Sequence, residues 1–156
     1  MDYEVRIVRE PERNLVVTAF DATVEDIDSR IGPAAKEVTE FLTRHGAPPY
    51  GPTVAYYERG PGGLVVGVGY TVPRELPPEG SVMPLRLPGG DVVTTTHLGA
   101  YETLPEAYLA LRNVAASHGR EVNETGGNWE EHWGGPESPN EQRRIEVFWP
   151  LMPEGV

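Results

Sequence analysis

Apolar and polar positions alternate in short runs at the start of the chain. Tyr3, Val5 and Ile7 are set against Glu4, Arg6 and Val8, and after Pro11-Glu12-Arg13-Asn14 comes Leu15-Val16-Val17-Thr18-Ala19-Phe20. A period of two predicts two strands, joined as a hairpin or by a wider connection across the Pro/Asn turn. The period then changes. Ile31, Ala34, Ala35, Val38, Phe41 and Leu42 recur at helical steps, with Gly32-Pro33 near the start and Gly46 just past the end. This predicts an amphipathic helix of about three to four turns, stopped by its C-terminal glycine. A rigid loop, Ala47-Pro48-Pro49-Tyr50-Gly51-Pro52, leads to two aromatic and β-branched runs, 53–58 and 64–72, around Gly60-Pro61-Gly62-Gly63. The proline-rich, polar stretch from Pro73 to Gly80 reads as a connector.

The pattern then repeats. Met83-Pro84-Leu85-Arg86-Leu87 and Asp91-Val92-Val93-Thr94-Thr95-Thr96-His97 flank Pro88-Gly89-Gly90, and Thr103-Leu104-Pro105-Glu106 has the spacing of a capping box with proline in the first turn. Leu104, Ala107, Tyr108, Leu111, Val114 and Ala115 form a helical stripe that Gly119 ends. His45-Gly46 answers to His118-Gly119, and this superposition sets Tyr56 opposite Glu130. The expectation is a single domain over 1–156 with pseudo-repeats of about 3–72 and 82–151. Its fold class is α+β: antiparallel sheets related by a pseudo-twofold, both helices on one side, and a ligand cleft between the halves on the other.

The densest chemistry lies in Asn128-Trp129-Glu130-Glu131-His132-Trp133. As a strand it carries Trp129, Glu131 and Trp133 on one face and Asn128, Glu130 and His132 on the other. With the tryptophans on the core, Glu130 and His132 sit together beside apolar wall, where a carboxylate is costly unless something pairs with it. A ligand is one such partner. Near the end of the chain, alternation puts Ile145, Val147 and Trp149 on one face and Glu146 and Phe148 on the other, so Glu146 points into the cleft if Val147 points at the helices. A salt bridge to Arg143 or Arg144 is the alternative for Glu146.

Composition removes several classes. The 156 residues hold no cysteine, which excludes disulfides, thiolate metal sites and cysteine nucleophiles. The net charge of -11 argues against a phosphate-backbone partner, so no nucleic acid is expected. No apolar run spans a bilayer and no signal-like start occurs, so no membrane is expected and a cytoplasmic location is the default. The four histidines are dispersed without metal-ligand spacing, and Gly67-Val68-Gly69 lacks the third glycine and the helix of a nucleotide loop, so neither metal nor cofactor is expected. Gly67 and Gly69 read instead as positions where a ligand or the opposite half approaches the backbone. The length leaves no room for a DNA-binding module beside this one.

Three segments together resemble a known family: His97-Leu98-Gly99-Ala100-Tyr101-Glu102 leading into a helix, Asn128-Trp129-Glu130 before a turn at Pro136, and Arg144-Ile145-Glu146-Val147-Phe148-Trp149-Pro150-Leu151. They are similar to the GyrI-like small-molecule-binding domain, the module that also serves as effector-binding domain in bacterial multidrug-responsive and AraC-type activators. The resemblance implies that Glu130 projects into an aromatic-lined pocket for cationic or lipophilic ligands, with Tyr101 nearby. His132 stands where the family usually has tyrosine, and Gly134-Gly135-Pro136 replaces a Thr-Asp-Pro turn. Tyr56, Tyr101, His132, Glu146 and Phe148 are the residues expected around Glu130. Stand-alone members are similar to toxin-binding or gyrase-modulating proteins, and a subset hydrolyses cyclopropane-containing electrophiles with a glutamate and a neighbouring aromatic residue. The expected partner is therefore a small organic ligand, sequestered or, with Glu130, Tyr101 and His132 as catalytic groups, hydrolysed. A protein partner has only the acidic charge behind it.

Overall fold

The structure is a computed structural model that describes residues 2–49, 51–134 and 143–154; Tyr50 and the turn expected at Pro136 lie outside them. Among the described residues the chain forms β1 (Arg6–Glu10), β2 (Arg13–Ala22), α1 (Ile27–Arg44), β3 (Thr53–Gly60), β4 (Gly63–Val72), β5 (Val82–Leu87), β6 (Gly90–Leu98), a 3₁₀ turn (Tyr101–Thr103), α2 (Leu104–Ser117), β7 (Asn128–Trp133) and β8 (Arg144–Pro150). The strands make one sheet in the order β1-β6-β8-β7-β3-β4-β2-β5. Every neighbouring pair is antiparallel.

The order is symmetric about the β7–β3 junction, so β2-α1-β3-β4 is answered by β6-α2-β7-β8. The outermost strands are exchanged. β1 does not close a hairpin with β2 but pairs with β6, and β5 pairs with β2 instead of β6. Both helices end alike: His45 and His118 occupy the C-cap, Gly46 and Gly119 follow at φ 69 and φ 68, and the amides of Ala47 and Arg120 close onto Leu42 and Ala115. Glycine is favoured there because a Cβ strains a left-handed backbone.

Two helix starts differ from the sequence expectation. α1 begins at Ile27, ahead of the Gly32-Pro33 pair, because Ile27 and Ile31 are both buried against the sheet and hold the first turn. Pro33 sits inside the helix, a case of tertiary burial outweighing a local breaker. At α2 no capping box forms. The Thr103 hydroxyl donates to Ala100 O at 2.9 Å and lies 3.0 Å from His97 Nε2, so it braces the preceding turn and leaves the helix amides alone.

Both helices pack on the same face of the sheet. α1 covers Ala55, Tyr57, Val66 and Val68, while Leu104, Ala107, Leu111 and Ala115 of α2 cover Val93, Ile145 and Val147. Each of these valine, leucine and isoleucine side chains contributes roughly 1.5–3 kcal/mol when fully buried. The opposite face is no open cleft. The sheet curls until Val8 of β1 and Leu85 and Leu87 of β5, its two end strands, join one cluster with Leu15, Trp129 and Phe148. β7 is therefore covered on both faces, by helices on one side and by the curled sheet on the other. Gly69 serves that curl: the space beside its Cα is filled by the Val16 carbonyl of β2, not by a ligand.

Candidate ligand-binding site

Strand alternation places Asn128, Glu130 and His132 of β7 on the helix side, with Ala55 of β3 and Val147 of β8 flanking Glu130 in register. Glu130 is 2% exposed. A carboxylate withdrawn from water this far needs donors, and it has three. Its Oε1 accepts from the Tyr57 hydroxyl at 2.8 Å and from His132 Nε2–H at 3.0 Å, and its Oε2 accepts from the Tyr108 hydroxyl at 2.5 Å. Asn128 Nδ2 in turn donates to the Tyr108 oxygen at 3.0 Å.

These side chains form one wall of a cavity of about 510 Å³ between the N-terminal ends of α1 and α2. Tyr57, Tyr101 and Tyr108 supply aromatic surface, and Ile27, Leu64 and Leu104 supply aliphatic surface. The rim is exposed and acidic: Glu25, Asp28 and Glu102 ring the opening beside Val24. Arg143 crosses this rim, donating to Asp28 at 3.0 Å with its guanidinium 6.0 Å from the Tyr101 ring centre, and so ties the start of β8 to α1.

Tyr101 owes its position to the histidine of its own segment. His97 is fully buried; its Nε2–H donates to Ala100 O at 2.9 Å and its Nδ1 accepts from the Tyr3 hydroxyl at 2.7 Å, an arrangement that fixes the tautomer. The 3₁₀ turn bearing Tyr101 is thereby clamped. Its hydroxyl stands 3.5 Å from that of Tyr57, and its ring stacks toward His132 at 6.3 Å. His132 itself is buried behind Glu130 and supports the carboxylate from beneath.

Burial and then the Glu130 charge push the phenols of Tyr57, Tyr101 and Tyr108 above the ordinary tyrosine value of 10.0, so all three stay protonated donors. The sign of the pH effect follows. Phenols whose acidity is suppressed only in the fold contribute stability that is complete below pH 10.0 and is lost as pH rises beyond it toward their folded values, because only the unfolded chain releases those protons. In an alkaline titration, ultraviolet tyrosinate absorbance from these residues is expected to rise together with loss of near-ultraviolet dichroism. Their ionisation in the intact fold near pH 10 would contradict the burial argument.

The structure brings Glu130, Tyr101 and His132 together and leaves the other expected residues elsewhere. Tyr56, Trp129 and Phe148 are cross-strand neighbours on the face away from the helices, where the Trp129 and Phe148 rings stack at 5.4 Å. Glu146 shares that face. It accepts from Arg144 at 2.9 Å and from Trp133 Nε1 at 3.3 Å, beside a Glu131 bonded to Arg13 at 2.7 Å. The reason is parity: Val147 does point at the helices, and the cavity is on the helix side, so its neighbours in sequence point away. Counting from the helix ends, Tyr57 stands as far past His45 as Glu130 does past His118, so Tyr57, not Tyr56, is the counterpart of Glu130. Tyr57, Tyr108 and Asn128 are the site residues that the repeat and the face rule carried without being assigned to the site. Among the described residues no group of three His, Asp or Glu could hold a metal ion, and no helix is long and apolar enough to cross a membrane.

The sequence profile of the GyrI-like small molecule binding domain matches residues 3–152. The chain belongs to the GyrI-like family. No curated protein sequence matches this GyrI-like chain. Among solved structures, the C-terminal domain of EcmrR superposes with a TM-score of 0.74 at 16% identity, covering 97% of this chain and 99% of that one. EcmrR in its DNA complex superposes with a TM-score of 0.77 at 16% identity, covering 96% of this chain, which spans 57% of the EcmrR length. A hydrolase from Listeria innocua has a TM-score of 0.68 at 12% identity over 96% of this chain and 92% of its own. SAV2435 bound to tetraphenylphosphonium has a TM-score of 0.64 at 10% identity, covering 97% and 94%. At these identities the likeness establishes the α+β fold alone.

Proposed function

We propose that this GyrI-like domain takes a lipophilic organic molecule, aromatic or cationic, into the cavity between α1 and α2, with Glu130 as the polar anchor, and serves to sequester it in drug or toxin resistance. The observation that carries this reading is a buried carboxylate facing a hollow lined by three tyrosines. A carboxylate offers about four acceptor positions. Three are filled by Tyr57, Tyr108 and His132, which leaves capacity for a guest while holding both oxygens still. A delocalised cation gains from the negative charge and from the faces of the tyrosine rings, and sheds little hydration on entry. The acidic rim favours the same charge at the mouth. That SAV2435, of like fold, holds tetraphenylphosphonium makes this cation a suitable probe.

A second reading is hydrolysis of strained, cyclopropane-containing electrophiles. Its support is that Glu130 is held in place by three donors while the Tyr101 hydroxyl, unbonded to Glu130, lines the same cavity, so one group can direct water and Tyr101 or His132 can assist. The Listeria innocua protein described as a hydrolase has the same fold.

Calorimetric titration distinguishes the readings. Tetraphenylphosphonium is expected to bind about tenfold tighter than neutral triphenylphosphine oxide and to be recovered unchanged by mass spectrometry. Equal affinity for the two, or none, would reject the anchored-cation reading. A cyclopropane electrophile returned with oxygen from isotopically labelled water would establish turnover instead.

A further inference from the structure

The cavity does not end at Glu130. Tyr57, Leu64, Tyr108 and Asn128 also border a second, smaller compartment of about 170 Å³, whose far side is formed by Arg59, Asn123 and Trp149. Asn128 and Tyr108, joined by the Asn128 Nδ2 to Tyr108 hydroxyl bond, border both compartments. On the far side of this pair the lining adds a cation, Arg59, beside Glu58 and Glu124. On β3 the alternation that turns Tyr57 to the helix side turns Arg59 there too, beside Leu64 of β4, its cross-strand neighbour. Glu58 also borders the compartment, but alternation turns its side chain to the other face, where its charge is felt by Tyr56. Glu124, also at this compartment, is already held by Arg112 at 2.6 Å. Arg59 has no ion-pair partner among the described residues, and the Asn123 side chain spends its oxygen on the amides of Thr125 and Gly126, leaving its amide hydrogens unspent. In a chain of net charge -11, an exposed guanidinium without an ion pair, beside unspent amide hydrogens, is available to an acceptor.

We propose that the second compartment receives an oxyanion arm, a carboxylate or similar group, of an elongated ligand whose lipophilic body occupies the first cavity. This rests on the ligand-binding reading of the Glu130 cavity and narrows it: the preferred guest is two-ended, with its lipophilic or cationic body against Glu130 and the tyrosines and a negative end at Arg59 and Asn123. The compartment is about a third of the size of the first and carries polar groups at its far side, which suits a short polar arm. Charge-assisted bonds from a guanidinium are the stronger kind, so the arm adds affinity and selects among molecules with the same body.

Two probes that share a body test this: carboxybutyl-triphenylphosphonium and pentyl-triphenylphosphonium, titrated calorimetrically against the full chain. The carboxylate probe is expected to bind about five- to tenfold tighter. Arg59→Gln should erase that difference, and Arg59→Glu should reverse it. Arg74→Gln, on the exposed connector, makes the same charge change away from both compartments and should preserve it. Dichroism spectra and melting curves establish that each variant is folded. Equal affinity for the two probes, or a difference that survives Arg59→Gln, overturns the second compartment; if Glu130→Gln still weakens both probes, the first cavity stands. If neither probe binds, or Glu130→Gln affects neither, the reading of the first cavity fails and the inference falls with it.

Discussion

Exchange of Glu130 for glutamine is expected to weaken tetraphenylphosphonium binding about a hundredfold and to leave the melting midpoint unchanged or raised. The two effects have different origins. Binding loses the one buried charge that faces the cavity, and the exposed, screened carboxylates of the rim with the tyrosine faces retain only a smaller preference for a cation. Stability keeps nearly all of its hydrogen bonds. A glutamine oxygen still accepts from Tyr57 and His132, and its amide nitrogen donates to the Tyr108 oxygen, whose own proton loses Glu130 as acceptor and turns toward the cavity that Tyr108 lines. What disappears is the cost of holding a charge at 2% exposure, a cost tolerated where function requires it. A large fall in melting temperature with affinity intact would make Glu130 a structural residue and remove the anchor from the proposed function. Calorimetry and thermal denaturation of the same preparation read both quantities.

Why the carboxylate was reachable from sequence, while its surroundings were not, follows from what alternation encodes. Period two states which residues share a face, so Glu130 and His132 could be set together and apart from Trp129. It does not state which face meets the helices or where a hollow lies. On β7 both faces are buried, and the tryptophan face, which reads as the only core, is matched by a second core under α1 and α2. Tyr56, Glu146 and Phe148 were therefore drawn toward a cleft on the wrong side of the sheet from the cavity. Tyr57 and Tyr108 illustrate a different limit. Each is ordinary in its own element, an inward strand residue and a helix-stripe residue, and only the approach of α2 to β3 across β7 puts both hydroxyls on one carboxylate. The exchange of β1 and β5 between halves is likewise a long-range pairing with no local mark, whereas the glycine ends of both helices are local and stand in the sequence plainly.

The same glycine-to-alanine change should have very different effects at two positions, and the contrast tests how the curled sheet is held. A Cβ added at Gly69 would lie 1.7 Å from the Val16 carbonyl oxygen and 2.8 Å from its carbon, both backbone atoms of the adjoining strand β2. No rotamer change relieves a clash with a main chain. β2 would have to withdraw, and β2 joins β4 to β5, so the ladder bonds on both sides and the closing contacts of Leu15, Leu85 and Leu87 move with it. Gly69→Ala is expected to cost about 3–5 kcal/mol, the scale of the severe core substitutions, and to lower the melting midpoint by roughly 10 °C. Gly32, inside α1, meets nothing within 4 Å of an added Cβ beyond its own helix and its chain neighbours, and should be far more tolerant. There alanine adds helix propensity worth about 0.5–1 kcal/mol, but its Cβ is crowded by the ring of the following Pro33, and the two effects offset to leave a change within about 1 kcal/mol. Denaturant unfolding of the two single variants measures both. A mild Gly69→Ala would mean that β2 can slide without loosening the sheet, and the tight approach at Val16 would then not be what fixes the curl around Trp129 and Phe148.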